Sequence, residues 1–169
     1  MPAAPLASAA PDPDIVSFLR MQGLADDGGR LELLPLTGGV ASDIWKVTTA
    51  RATVVVKRAL ARLRVAQEWQ VPVARNASEV AWLREAARVA PQAVPRVLAH
   101  DAALGAFAMD FLDPADHPVW KQQLLAGDAD AAFAARLGAT LAAIHAATAN
   151  SETIAARFAN DSLFHAIRL

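Results

Sequence analysis

The sequence predicts an α+β fold: a five-stranded antiparallel sheet carrying one main helix, followed by a helical region. Three observations predict it. Thr53 to Lys57 (TVVVK) places three β-branched valines in a row, which favours pleated backbone and disfavours helix. From Asn76 to Ala90 the apolar spacing changes to threes and fours, as an amphipathic helix requires. After Asp113 the chain becomes alanine-rich and helical in character.

The elements follow in order. Met1 to Asp14 is small, Pro-rich and free of Lys or Arg, so it reads as a disordered lead-in rather than a secretory signal. Ile15, Val16, Phe18, Leu19 and Leu24 fit one side of a short helix that Asp26-Asp27-Gly28-Gly29 ends. Leu31 to Leu36, Ile44 to Thr49 and Thr53 to Lys57 are three strands with short connections, an antiparallel meander. The helix of Asn76 to Ala90 carries Val80, Leu83, Ala87 and Ala90 on one side and stops at Pro91. Val94 to Leu98 and Ala106 to Leu112 read as a hairpin separated by His100-Asp101 and Gly105, and Asp113-Pro114 ends the sheet. Val119 to Leu125 forms a short helix and Ala129 to Thr148 a long one, with Phe133, Leu137, Leu141 and Ile144 on its apolar face. The composition shift at Asp113 divides the chain into a lead-in over 1–14, a sheet domain over 15–112 and a helical part over 113–169.

Composition narrows the function. The 169 residues carry a formal net charge of −1, with both signs interspersed, so there is no general attraction to nucleic acid or to an acidic membrane surface. There is no cysteine, hence no disulfide framework and no thiolate nucleophile. His100, His117, His145 and His165 lack ligand spacing. No stretch reaches about 18 uninterrupted apolar residues, and a soluble, cytoplasmic protein is expected. About a quarter of the chain is alanine, so the 54% hydrophobic content overstates its large core formers.

Four features bear on chemistry. The turn Leu36 to Asp43 (LTGGVASD) joins two antiparallel strands, and Gly38 and Gly39 let its backbone approach a bulky anion, with Ser42 as a further donor. An ordinary glycine hairpin fits the same residues. Lys57 ends an apolar strand and shares a face with Val55 and Thr53, so its ammonium emerges over a surface on which a flat base can lie; a solvated edge lysine is the alternative. Glu79 stands on the next helix, where it either holds Lys57 or closes a capping box with Asn76. Glu85 is the other candidate partner. Ala108 to Pro114 (AMDFLDP) is an apolar strand running into a linker, whose backbone can pair with a planar heterocycle or simply form a buried edge.

In this chain order the four features resemble the small lobe of the protein-kinase-like fold. The sequence is similar to the N-terminal part of the aminoglycoside phosphotransferase and choline kinase superfamily. The runs LTGGVASDIWKV, VVVKRAL and RNASEVAWL are most similar to its methylthioribose-kinase-like members. Leu137 to His145 (LGATLAAIH) resembles the long helix that precedes the catalytic loop there. The resemblance implies that Gly38, Gly39 and Ser42 cover the phosphates of ATP, that Lys57 contacts the α and β phosphates and that Glu79 orients Lys57. It further implies that Val55 packs on the base, that Met109 backs the adenine slot, and that the Asp110 carbonyl and Leu112 amide pair with the adenine edge. Twenty-two residues separate Lys57 from Glu79, so Leu60 to Arg75 reads as an inserted excursion.

Phosphoryl transfer in this fold needs a catalytic-loop aspartate, an asparagine shortly after it and a second aspartate for magnesium. The family carries them in an HGDxxxxN stretch and a later aspartate, and this sequence has neither; Asp128 and Asp161 lie outside that context. No catalytic residue and no metal ligand is therefore assigned. The expectation is the nucleotide-binding portion of an ATP-dependent small-molecule kinase, inactive alone, with helices left uncovered and able to self-associate. Nucleotide and a small-molecule acceptor are its expected partners, and Mg2+ belongs to the longer family members. A non-catalytic interaction or regulatory module of the same shape is the alternative. His145 reads as a hydrogen-bonded core residue, and Trp69, Trp82 and Trp120 as packing residues.

Overall fold

The computed structural model of the protein describes residues 12–36, 39–66 and 68–166. Its elements in chain order are α1 (Pro13–Met21), β1 (Glu32–Pro35), β2 (Ser42–Thr48), β3 (Thr53–Ala59), α2 (Arg75–Val89), β4 (Val97–Asp101), β5 (Ala106–Asp110), α3 (Trp120–Leu125), α4 (Ala131–Thr148), α5 (Glu152–Arg157) and α6 (Asp161–Ala166). All five strands join one antiparallel sheet in the order β1-β2-β3-β5-β4. The fold is thus the predicted α+β arrangement.

The chain separates into two compact units. The first comprises 1–81, 97–111 and 160–169, and the second 82–96 and 112–159. In the first, α1 supplies Ile15, Phe18 and Leu19, all fully buried, to a core with Leu33 of β1, Val47 of β2, Val54 and Val56 of β3 and Ala106 and Ala108 of β5. Burial of each such large apolar side chain is worth about 1.5–3 kcal/mol. The helix starts at Pro13 rather than Ile15, because Asp12 caps it by accepting from the Asp14 amide and proline suits the first helical position. Residues 12–14, assigned from sequence to the lead-in, belong to this helix start; residues 1–11 lie outside the described residues.

Two ion pairs anchor this helix and the turn after it. Arg58 donates to Asp12 at 2.8 Å, and its guanidinium lies 5.4 Å from the Trp45 ring centroid. Burial alone would raise the Asp12 carboxyl, but the hydrogen bonds from Arg58 and the Asp14 amide outweigh it and hold the group below the usual carboxylate range. Arg51, in the β2–β3 turn, donates through Nε to Asp26 at 2.8 Å.

Strand β4 sits three residues further along the chain than expected. Val94 is outside the strand and His100 and Asp101 are inside it, because Pro95 has no amide to pair while Asp101 makes the turn, accepting from the amides of Ala103 and Leu104 at 2.9 Å. β5 ends at Asp110, two residues early. Gly105 completes the turn in the left-handed region, at φ +63°, where a side chain is strained.

In the second unit Asp130 caps α4, accepting from the amides of Ala132 and Phe133. The predicted apolar face of α4 is only partly covered. Ile144 is buried, whereas Leu141 is 43% exposed and Phe133 meets the Trp120 ring edge-on at 5.1 Å yet remains 37% exposed. By length and composition α4 is long and apolar enough to cross a membrane, with a mean hydropathy of 1.2 over 18 residues; alanine supplies most of that value, and no such stretch was expected from the sequence.

Candidate functional site

Strand register decides which side chains share a surface. Successive residues of a strand face opposite ways, and directly paired residues face the same way. On β3, Val54 and Val56 turn to the α1 core, so Val55 and Lys57 face the other side. Ile44 and Phe107 pair with Lys57, while Lys46 and Met109 pair with Val55. One face of the sheet therefore presents Ile44, Lys46, Val55, Lys57, Phe107 and Met109. Phe107 is fully buried and Val55 nearly so, which gives Lys57 an apolar floor. Lys46 Nζ lies 4.3 Å from the Phe111 ring centroid, a cation–π contact at the outer end of this floor.

Glu79 meets Lys57. Its Oε1 accepts from Nζ at 2.5 Å, with the lysine side chain 21% exposed and the carboxylate 39%. The capping box is not formed. Helix α2 begins at Arg75, so Asn76 is inside the helix, 98% buried with its amide atoms unpartnered, and Glu79 stands in the second turn rather than the first. Glu85, the other candidate, is buried in the second unit and accepts from Arg88 at 2.8 Å and Arg157 at 3.0 Å.

Ser42 opens β2, two residues before the Ile44 that faces Lys57. Gly39 leads into it so closely that an added Cβ would lie 3.1 Å from the Ser42 carbonyl oxygen. This is tighter than most side-chain contacts, so a larger residue there needs the Ser42 carbonyl to shift by a few tenths of an ångström. Gly38 lies outside the described residues. Asp110 pairs with Val54, so its side chain takes the α1 face and only its backbone belongs with the Val55 face. Leu112 lies past the end of β5, 44% exposed, as the first residue of a second-unit segment.

The structure thus brings together Lys57 and Glu79 directly, and places Val55 and Met109 on the same face as Lys57. It corrects two further expectations. His145 is exposed rather than in a core, beside the second-unit groove formed with Trp82, Ile154 and Phe158, and Trp82 is itself 47% exposed.

Sequence reasoning missed Arg75. Its NH2 group donates to the carbonyls of Ala41 at 2.5 Å and Leu60 at 2.7 Å, and NH1 to that of Pro72 at 2.9 Å. Burial lowers its pKa, opposed by the charge of Glu79, yet a guanidinium remains protonated at neutral pH. Ile44 and Phe107 were also missed, although the period-two pattern around Lys57 carries the signal for both.

The donor set suits a phosphate anion: a cation held by a carboxylate over an apolar floor, beside a glycine turn with backbone amides and the Ser42 hydroxyl. Among the described residues no group of three or more His, Asp or Glu side chains is placed to hold a metal ion.

A family model described as the phosphotransferase enzyme family matches residues 32–166. Among similar proteins are methylthioribose kinases of Yersinia pseudotuberculosis and Yersinia pestis, each 29% identical over 133 residues, covering 76% of this chain and 32% of theirs. The methylthioribose kinase of Pectobacterium carotovorum is 35% identical over 98 residues, covering 57% of this chain and 24% of its own. The chain therefore spans about a third of the length of the curated relatives it matches.

Proposed function

The chain belongs to the phosphotransferase enzyme family, and from that premise we propose that it is the nucleotide-binding part of an ATP-dependent kinase that phosphorylates a small-molecule alcohol. The observation that carries this reading is the Lys57–Glu79 pair, at 2.5 Å, on the sheet face that also bears Val55 and Met109. A lysine fixed by a helix carboxylate is the arrangement phosphoryl-transfer enzymes use to hold nucleotide phosphates.

In this reading the adenine ring lies on Val55 and Met109, and its edge pairs with the backbone at Asp110. Lys57 neutralises the α and β phosphates. Glu79 prevents the lysine from swinging into solvent. Gly39 and Ser42 line the phosphates with backbone amides and a hydroxyl. Magnesium, when bound with ATP, screens the phosphate charge. The 169 residues carry no HGDxxxxN stretch, so this chain by itself binds nucleotide and does not transfer phosphate. It works in the cytoplasm, where ATP is made, with α4 as an alanine-rich helix of a soluble protein. The relatives' name makes methylthioribose the first acceptor to try.

The test is isothermal titration of the chain with ATP and with adenosine, beside a coupled assay with magnesium and methylthioribose. Binding of both ligands, with ATP the tighter, and no turnover is the expected result. Absence of ATP binding would favour a non-catalytic interaction module instead, and turnover by this chain alone would refute the division of roles.

A further inference from the structure

We propose that Arg75 is a positioning residue for the phosphate-facing turn, setting the direction of the Ser42 backbone amide through the carbonyl of Ala41; this rests on the nucleotide reading above. The turn that leads into β2 is not free-standing. The segment between β3 and α2 grips it at three places, Val40, Ala41 and Asp43. The Arg64 amide donates to the Val40 carbonyl at 2.9 Å, the Leu60 amide donates to the Ala41 carbonyl at 3.0 Å, and the Arg64 guanidinium pairs with the Asp43 carboxylate. Arg75 locks this grip. Its NH2 donates to the Ala41 carbonyl at 2.5 Å and to Leu60 at 2.7 Å, while NH1 donates to Pro72 at 2.9 Å, so one guanidinium ties the turn, the excursion and the start of α2 together.

Peptide geometry turns this clasp into a statement about the ligand side. A trans peptide is planar, with its carbonyl and amide hydrogen pointing opposite ways. Holding the Ala41 carbonyl toward Leu60 and Arg75 therefore aims the Ser42 amide away from them. An amide fixed in direction is ready to donate to an anion, whereas a released carbonyl that rotates inward presents a negative dipole to the phosphates. The fork of the Arg75 guanidinium serves four carbonyls at once, those of Ala41, Leu60, Pro72 and, at 3.4 Å, Val71, which a lysine ammonium on a flexible stem does not reproduce.

Arg75 and Glu79 stand four residues apart, one turn of α2, and so lie on the same side of the helix. Glu79 holds Lys57, and Arg75 holds the turn. One helix face thereby sets both groups that meet the phosphates, without touching the base.

That separation supplies the test. The wild-type chain, Arg75→Ala and Arg75→Lys are titrated with ATP and with adenosine, and their amide hydrogen exchange is followed. Arg75→Ala is expected to weaken ATP about tenfold while adenosine stays within about twofold. Exchange is expected to quicken at residues 40–43 and not in β4 or β5, with Arg75→Lys recovering part of the ATP affinity. If Arg75→Ala melts early, Arg75→Lys alone decides, because it keeps the charge and loses the fork. Equal weakening of ATP and adenosine would make Arg75 merely structural and overturn the proposal, as would ATP affinity unchanged in a folded variant. A wild-type chain that binds neither ligand would refute the nucleotide reading and this proposal together, whereas wild-type binding that both variants leave intact refutes only the role of Arg75.

Discussion

Lys57 and Glu79 are 22 residues apart in sequence and 2.5 Å apart between Nζ and Oε1. The whole excursion between β3 and α2 is bridged by this pair and by Arg75, so α2 is registered against the sheet at two points one helical turn apart. The same contacts that hold the helix in place hold the cation and the turn that would meet phosphates.

Because the Glu79 carboxylate is more than a third exposed, its loss bears on binding far more than on stability. Glu79→Gln is expected to lower stability by about 0–1 kcal/mol in urea unfolding, since partly solvated pairs contribute little. ATP affinity is expected to fall several-fold in the same variant because Lys57 is no longer held. A loss of stability well beyond that range, with ATP binding intact, would make the pair a structural strut.

Gly39→Ala places a methyl against the Ser42 carbonyl, 3.1 Å away, and the turn must shift to admit it. ATP binding is expected to weaken while adenosine binding is retained, as read by titration. Retention of ATP affinity would show that the turn does not approach the phosphates.

Phe107 is fully buried in the pair position beside Lys57. Phe107→Ala is expected to destabilise the chain by about 3–5 kcal/mol in denaturant unfolding, the usual result of emptying an aromatic core site. A cost below about 1 kcal/mol would mean that the floor under Lys57 is not packed as described.

Asp12 and Arg58 give a pH dependence of defined sign. The Asp12 carboxyl is held below its ordinary value in the fold, so its contribution to stability is present above the unfolded carboxylate pKa of about 4 and is lost as pH falls through the lower folded value. The thermal midpoint of the wild type is expected to drop more steeply below about pH 4 than that of Asp12→Asn, which has already lost the ionic partner. Parallel curves for the two would remove the pair from the stability of α1.

The strands and helices were legible where the sequence speaks through local pattern. The valine run of β3, the spacing of Val80 and Leu83 in α2 and the order of the elements all follow from side-chain period. Boundaries moved where a single residue overrode the pattern: Asp12 and Pro13 drew α1 forward, and Pro95 and Asp101 shifted β4. Lys57 and Glu79 were readable because charged residues stand out against an apolar strand and a helix start. Arg75 was not, since its partners are backbone carbonyls, which every residue possesses and no motif records. The face of α4 misled for a different reason: an alanine-rich helix has too little contrast between its sides to reveal how much of an apolar stripe is covered.

Contact between Lys57 and nucleotide phosphates is read out by labelling with an acyl-phosphate derivative of ATP, which acylates a lysine lying beside the bound phosphates. The chain offers Lys46, Lys57 and Lys121. Modification mapped by mass spectrometry to Lys57, and abolished by excess free ATP, is the predicted result. Labelling spread over the three lysines, or labelling of Lys57 that free ATP does not suppress, would contradict it.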